Sequence, residues 1–118
     1  MKSLIIISHG SKKEASNKEV IEIVNQVKNS STVYENIQPA FLEFATPTIQ
    51  ESIEKCIQAG THEINIYPYF LNSGKHVTKD IPETIEKLKV EYPTLIFNLL
   101  EHFGKSKRIN EIISEHIL

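Results

Sequence analysis

The chain has 118 residues, with 13 Lys and Arg against 15 Asp and Glu, for a formal charge of −2. Apolar residues at 40%, charged residues at 24% and few Gly or Pro exclude a disordered or fibrous chain, and the near-balanced charge excludes a globally basic nucleic-acid surface. The single cysteine, Cys56, excludes an intramolecular disulfide and a thiolate cage, so any metal must be held by nitrogen and oxygen. The length predicts one domain over residues 1–118. The opening apolar run, Leu4 to Ile7, is too short for a signal-peptide core or a membrane span, so the expectation is a cytoplasmic protein without membrane contact.

Leu4-Ile5-Ile6-Ile7 reads as a strand buried on both faces, and hence as a central strand. From Lys12 to about Ser30, the apolar residues Val20, Ile23, Val24 and Val27 recur on one helical stripe. Residues 33–43 are extended, and Pro39 removes a ladder donor, which places this second strand at an edge, ending at Glu43. Thr46-Pro47 reads as a helix start, with Ile49, Ile53, Cys56 and Ile57 buried and Gly60 just past the end. Glu63 to Tyr69 is a third strand, and Phe70 to Lys79 has no periodicity and reads as a loop. Asp80 is expected to cap a third helix that has Pro82 in its first turn and buries Ile81, Ile85 and Leu88. Leu95 to Leu100 is the fourth strand. A last helix from about Ser106 is expected to bury Ile109, Ile112, Ile113 and Ile117.

Strict strand–helix alternation predicts a three-layer, flavodoxin-like α/β fold: a four-stranded parallel sheet of order 2-1-3-4 with helices on both faces. The candidate chemistry follows the strands: His9 in ISHGS, Glu43 in FLEFATPT, His76 in PYFLNSGKH and His102 in LLEHFG. In a parallel sheet these positions share the carboxyl edge. The switch point between the first and third strands places His9 and His76 together there, where ligands bind and where imidazoles with a carboxylate form a divalent-metal site. Each residue taken singly has a plainer reading. The Ser8–Ser11 turn can be a helix-capping turn, His76 a solvated loop residue, Glu43 an exposed strand end, and His62 and His116 structural or solvated residues.

Three motifs resemble the small, single-domain sirohydrochlorin chelatases, the CbiX-like branch of the class II chelatases. They are Ser8-His9-Gly10-Ser11, then Phe41-Leu42-Glu43 with Ala45-Thr46-Pro47-Thr48-Ile49, and Pro68 through Gly74-Lys75-His76 to Asp80-Ile81-Pro82. The resemblance implies insertion of Co²⁺ or Fe²⁺ into sirohydrochlorin during cobalamin or sirohaem biosynthesis. It ranks both ions ahead of Ni²⁺, because PYFLNSGKHVTKD holds one histidine rather than a histidine-rich stretch. It implies His9 and His76 as catalytic metal ligands, Glu43 as a further ligand, and a homodimer with the tetrapyrrole cleft at or beside the interface; histidine chemistry makes His9 the main proton acceptor, a role it can exchange with His76, and lets Glu43 orient a ring. The metal is substrate, and no organic cofactor is expected. A carrier of metal or tetrapyrrole that uses the same cleft without turnover is the alternative.

Substrate contacts are expected from Ser8, Gly10, Ser11 and Lys12 in the first loop, and from Phe44 in the second. The third loop is expected to supply Phe70, Leu71, Ser73, Gly74 and Lys75, with His102 in the fourth. Sirohydrochlorin is a polycarboxylate, and seven of the 13 basic residues follow the strands: Lys12, Lys13, Lys75, Lys79, Lys105, Lys107 and Arg108. Helix N-termini on the same edge favour carboxylates. Phe44, Phe70, Leu71 and Phe103 are candidates for an apolar wall against the macrocycle. Neutral imidazoles suit metalation because they bind Fe²⁺ or Co²⁺ yet can release it, and because histidine accepts a proton near neutrality.

Overall fold

A computed structural model describes the whole chain, Met1–Leu118. Strands β1 (Lys2–Ser8), β2 (Asn36–Phe41), β3 (Glu63–Pro68) and β4 (Ile96–Leu99) form one parallel sheet of order β2-β1-β3-β4. This is the order that the alternation predicts. Ile5 lies beside Gln38 on one side and Ile66 on the other, so β1 is central and every residue from Ser3 to Ser8 is buried. β2 is the edge strand. Pro39 pairs with Ile6 in the register, and its carbonyl accepts a hydrogen bond from Ser52 Oγ.

Helices α1 (Glu14–Ser30), α2 (Ile49–Gln58), α3 (Ile81–Glu91) and α4 (Ile109–His116) follow the strands in turn. α2 and α3 cover one face, where Ile53, Cys56, Ile81, Ile85 and Leu88 pack on Ile5, Ile7, Ala40, Ile64, Ile66 and Phe97. Full burial of each such aliphatic side chain contributes about 1.5–3 kcal/mol. On the other face Val24 of α1 packs with Leu4, Ile6 and Ile37, flanked by Val20, Val27, Tyr34 and Tyr67. No helix is long and apolar enough to cross a membrane.

Several elements differ from the sequence reading. β2 ends at Phe41, two residues before Glu43. Ile23 and Ile57 are exposed, and Ser52 is buried in α2 instead. The cap of α2 is Thr48, not Thr46: Thr48 Oγ1 accepts from the Glu51 amide, and the Glu51 carboxylate accepts from the Thr48 amide. This reciprocal box satisfies two donors that Thr46 cannot reach. The backbone hydrogen bond from Thr48, helped by its side chain, holds the Glu51 carboxyl below the usual glutamate range. Gly60, at φ +90°, ends α2 as expected.

The larger departures lie in the third and fourth units. Residues 76–80 are not irregular loop but a π-helical turn that runs straight into α3. Asp80 has helical backbone angles and caps nothing, since the helix has already begun. α4 forms but buries none of its residues: Ile113 is 53% and Ile117 76% exposed. The expected burial of its isoleucine stripe does not occur, because α4 packs into neither core of the sheet.

Candidate functional site

Two hydrogen bonds beyond the end of β1 and β2 bring the first two loops together: the Leu42 amide donates to the Ser8 carbonyl at 3.0 Å and the Glu43 amide to the His9 carbonyl at 2.9 Å. The β1–β2 ladder therefore continues past the strands and holds His9 against Glu43. Gly10 allows the approach. It has φ +91°, and a Cβ there would lie 1.8 Å from the Glu43 carbonyl oxygen. On the other side of β1, the Tyr69 amide donates to the Ile7 carbonyl at 2.7 Å and leads the third loop toward the same edge.

The side chains then meet. The His9 and His76 rings lie with centroids 4.5 Å apart at a tilt of 35°. His9 Nε2 is 3.1 Å from Glu43 Oε2, in a half-exposed contact. His76 Nδ1 is 2.9 Å from Asp80 Oδ2, a close approach that makes no hydrogen bond although the nitrogen is buried. Each imidazole thus faces its own carboxylate through one nitrogen and keeps the other. Phe70 lies beside His76, with centroids 6.0 Å apart, and Phe44 meets His9 edge-on at 6.2 Å.

Asp80, which the sequence reading takes as a helix cap, lies instead beside His76. Its i,i+4 spacing from His76 carries the signal, because residues so spaced share a helix face. The Asp-x-Pro pattern at a helix start obscured it. No three His, Cys, Asp or Glu side chains converge closely enough to enclose an ion. The arrangement is an open pair of imidazoles with a carboxylate beside each.

The other candidates divide. Ser8 is buried with an unpaired hydroxyl at the mouth of the site. Ser11 shapes the turn: its amide donates to Asn17 Oδ1, and its hydroxyl accepts from the Lys13 amide. Lys12 Nζ sits 5.3 Å over the ring of Phe44, a cation–π contact, and the Phe44 backbone is at φ +64°. An open groove of about 470 Å³ runs from there, lined by Ser11, Lys12, Asn17, Lys18, Phe44 and Thr46. Leu71 and Lys75 are exposed, and the Gly74 carbonyl accepts from the amides of Val77 and Thr78 at the start of the π-turn. His102 is buried, with Nε2 3.3 Å from Ser73 Oγ, so it ties the fourth loop to the third. Phe103 stacks edge-on against Tyr69 at 5.4 Å, away from the imidazole pair's own neighbours. His62 and His116 are exposed.

Fold and site together define a parallel α/β protein with a two-histidine, carboxylate-flanked site at the switch point of its sheet. The CbiX family model matches residues 3–118. The chain belongs to the CbiX family. Over 118 residues it is 36% identical to a sirohydrochlorin ferrochelatase of Priestia megaterium, covering 99% of this chain and 44% of that protein. Over 85 residues it is 33% identical to a sirohydrochlorin cobaltochelatase of Methanococcus maripaludis, covering 72% of this chain and 58% of that one. The chain therefore spans about half the length of these relatives. A solved structure of a CbiX protein from Marinobacter aquaeolei VT8 superposes with a TM-score of 0.88 at 26% identity, covering 99% of this chain and 94% of that one. SirB from Bacillus subtilis with Fe³⁺ shares the fold, with a TM-score of 0.90 at 22% identity over 98% of this chain and 46% of that one.

Proposed function

We propose that this chain is a sirohydrochlorin chelatase: it inserts Co²⁺ or Fe²⁺ into sirohydrochlorin on the way to cobalamin or sirohaem. The observation that carries the reading is the pairing of His9 and His76, ring centroids 4.5 Å apart, between Glu43 and Asp80 at the switch point. The names of the relatives, ferrochelatase and cobaltochelatase, support the same reaction class. Residues 1–118 act as one domain in a homodimer, and the setting is a reducing cytoplasm, in keeping with the free thiol of Cys56.

Metalation exchanges two pyrrole N–H protons for one divalent ion. With the His9 Nε2 proton directed at Glu43, Nδ1 keeps a lone pair; with the His76 Nδ1 proton facing Asp80, Nε2 does. One lone pair takes one pyrrole proton while the other steadies the incoming ion; the second pyrrole proton passes to solvent water, and water or macrocycle nitrogens fill the ion's remaining positions. Glu43 fixes the His9 ring by its hydrogen bond, and Asp80, close to His76 Nδ1 without bonding to it, stabilises an imidazolium once it forms. Phe44 and Phe70 offer apolar surface to the macrocycle, and Lys12 and Lys75 offer cations to its carboxylates.

The test is anaerobic absorbance of sirohydrochlorin with a catalytic amount of protein and Co²⁺, Fe²⁺ or Ni²⁺ in turn. Multiple turnovers with Co²⁺ or Fe²⁺, lost in folded His9→Ala and His76→Ala, are expected. Metalation no faster than in the protein-free control, with tight binding of metal or tetrapyrrole, would replace the chelatase with a carrier.

A further inference from the structure

The third loop has little of its own to hold it in place. Between the end of β3 at Pro68 and the π-turn that begins at His76, residues 70–73 make two hydrogen bonds, and both come from the fourth loop. The Gly104 amide donates to the Phe70 carbonyl at 2.9 Å. His102 Nε2 lies 3.3 Å from Ser73 Oγ, and either group can donate, according to the imidazole tautomer. Gly104 adds a steric lock, since a Cβ there would overlap the Leu71 carbonyl oxygen.

The tie at Ser73 is the one that reaches His76. The next residue, Gly74, offers its carbonyl to the Val77 amide at 3.1 Å, the Thr78 amide at 3.0 Å and the Thr78 hydroxyl at 3.1 Å, and so starts the π-turn. The far end of that turn is fixed in the core, where the Ile81 amide donates to the His76 carbonyl and the Ile81 side chain is buried. His76 is therefore held behind by the core and ahead by Gly74, and Gly74 takes its place from the fourth loop. His102 is 8% exposed and offers substrate no open face, unlike the half-exposed His9 and His76. A leucine would fill its space without drawing the loop in. An imidazole nitrogen removed from water needs a partner, and Ser73, on an exposed stretch of loop, is the partner it has.

We infer that His102 is a positioning residue for metal insertion: through Ser73 it sets the third loop, and with it the place of the His76 ring opposite His9. The inference rests on the reading of His9 and His76 as the metal-handling pair, and names what keeps them paired. A residue in this role touches neither the ion nor the macrocycle. Its loss lets the third loop drift, and a drift of about 1 Å in one imidazole can cost about 100-fold in a reaction that needs both rings at once. Only one half of the pair depends on it. His9 is clipped to Glu43 through backbone and side chain at the end of β1, so the His76 half alone loosens.

Visible absorption of Co²⁺ added anaerobically to the protein alone reads the pair directly, and initial metalation rates over a range of Co²⁺ concentrations read its use. The variants are Ser73→Ala, His102→Leu, their double, and His102→Gln, whose side-chain amide stands in for Nε2. Ser73 is exposed, so Ser73→Ala keeps the wild-type melting temperature. Ser73→Ala and His102→Leu are each expected to weaken Co²⁺ binding and to lower kcat/KM for Co²⁺ at least about 10-fold, the scale of loss when a group that orients a ligating histidine is removed. The double variant is expected to lose no more than either single one, because the two residues act as one tie. His102→Gln is expected to recover both quantities, which it could not do for a lost metal ligand. Wild-type values in Ser73→Ala, or a His102→Gln as impaired as His102→Leu, overturn the positioning role. Where His76→Ala changes neither Co²⁺ binding nor turnover, the metal-pair reading falls and this inference with it. Where His76→Ala loses both while Ser73→Ala and His102→Leu lose neither, only this inference falls.

Discussion

His9 and Glu43 are joined twice, once through the backbone at 2.9 Å and once through Nε2 and Oε2 at 3.1 Å. The backbone bond fixes the distance between the loops, and the side-chain bond fixes the imidazole. Replacing the carboxylate should therefore disturb the ring without moving the loop. Glu43→Gln is expected to lower the metalation rate about 10- to 100-fold, the usual loss when a carboxylate partner of a ligating histidine is removed. Its melting temperature should stay that of the wild type. Thermal melts and initial rates on the same preparation check both halves, and an unchanged rate would reduce Glu43 to an exposed strand end.

Asp80 faces His76 one turn away and caps no helix. The two roles separate under one substitution. A true N-cap loses about 1 kcal/mol on replacement by alanine. Here Asp80→Ala should leave stability within about 0.5 kcal/mol, as for substitutions away from caps and cores, while activity falls at least about 10-fold. Urea titration and turnover measurements decide. A loss of stability with full activity would restore the capping role.

Gly10 and Gly60 share nearly the same φ, +91° and +90°, but not the same surroundings. At Gly60 a Cβ meets nothing within 4 Å, so Gly60→Ala should cost only the left-handed conformation, about 1 kcal/mol. At Gly10 the Cβ would collide with the Glu43 carbonyl, and the clip between the loops has to open. Gly10→Ala should therefore destabilise by more than Gly60→Ala and abolish turnover, whereas Gly60→Ala keeps it. Paired melts and rates on the two variants measure the difference.

The strand order was legible because β1 is a continuous β-branched run and Pro39 marks an edge, and the His9–His76 pairing followed from that order alone. What escaped the sequence was local competition. Thr46-Pro47 reads as a helix start, but the cap that forms is Thr48 with Glu51, which satisfies two donors. Asp80-x-Pro82 looks like a cap until the π-turn from His76 shows the helix already under way. The isoleucine stripe of α4 has the right period, but period reports that a face is apolar and not what covers it.

Cys56 links stability to pH. Its side chain is fully buried in the main core, where Asn36 Nδ2 donates to Sγ at 3.4 Å, and burial pushes the thiol above its ordinary value of 9.0. In the unfolded chain the thiol ionises near that ordinary value; in the folded chain it stays protonated. Folding is thus favoured fully below about pH 9, and the stabilisation is lost as pH climbs from there through the raised folded value. Tyr67, pushed up from 10.0 chiefly by burial and next by the neighbouring Tyr69, adds to the same loss a little higher. Urea midpoints taken between pH 8 and 10.5 should fall steadily. Cys56→Ala should flatten the first part of that fall while lowering stability at pH 8. A wild-type curve flat to pH 10.5 would mean that the thiol ionises as readily in the core as in water, and would contradict its burial.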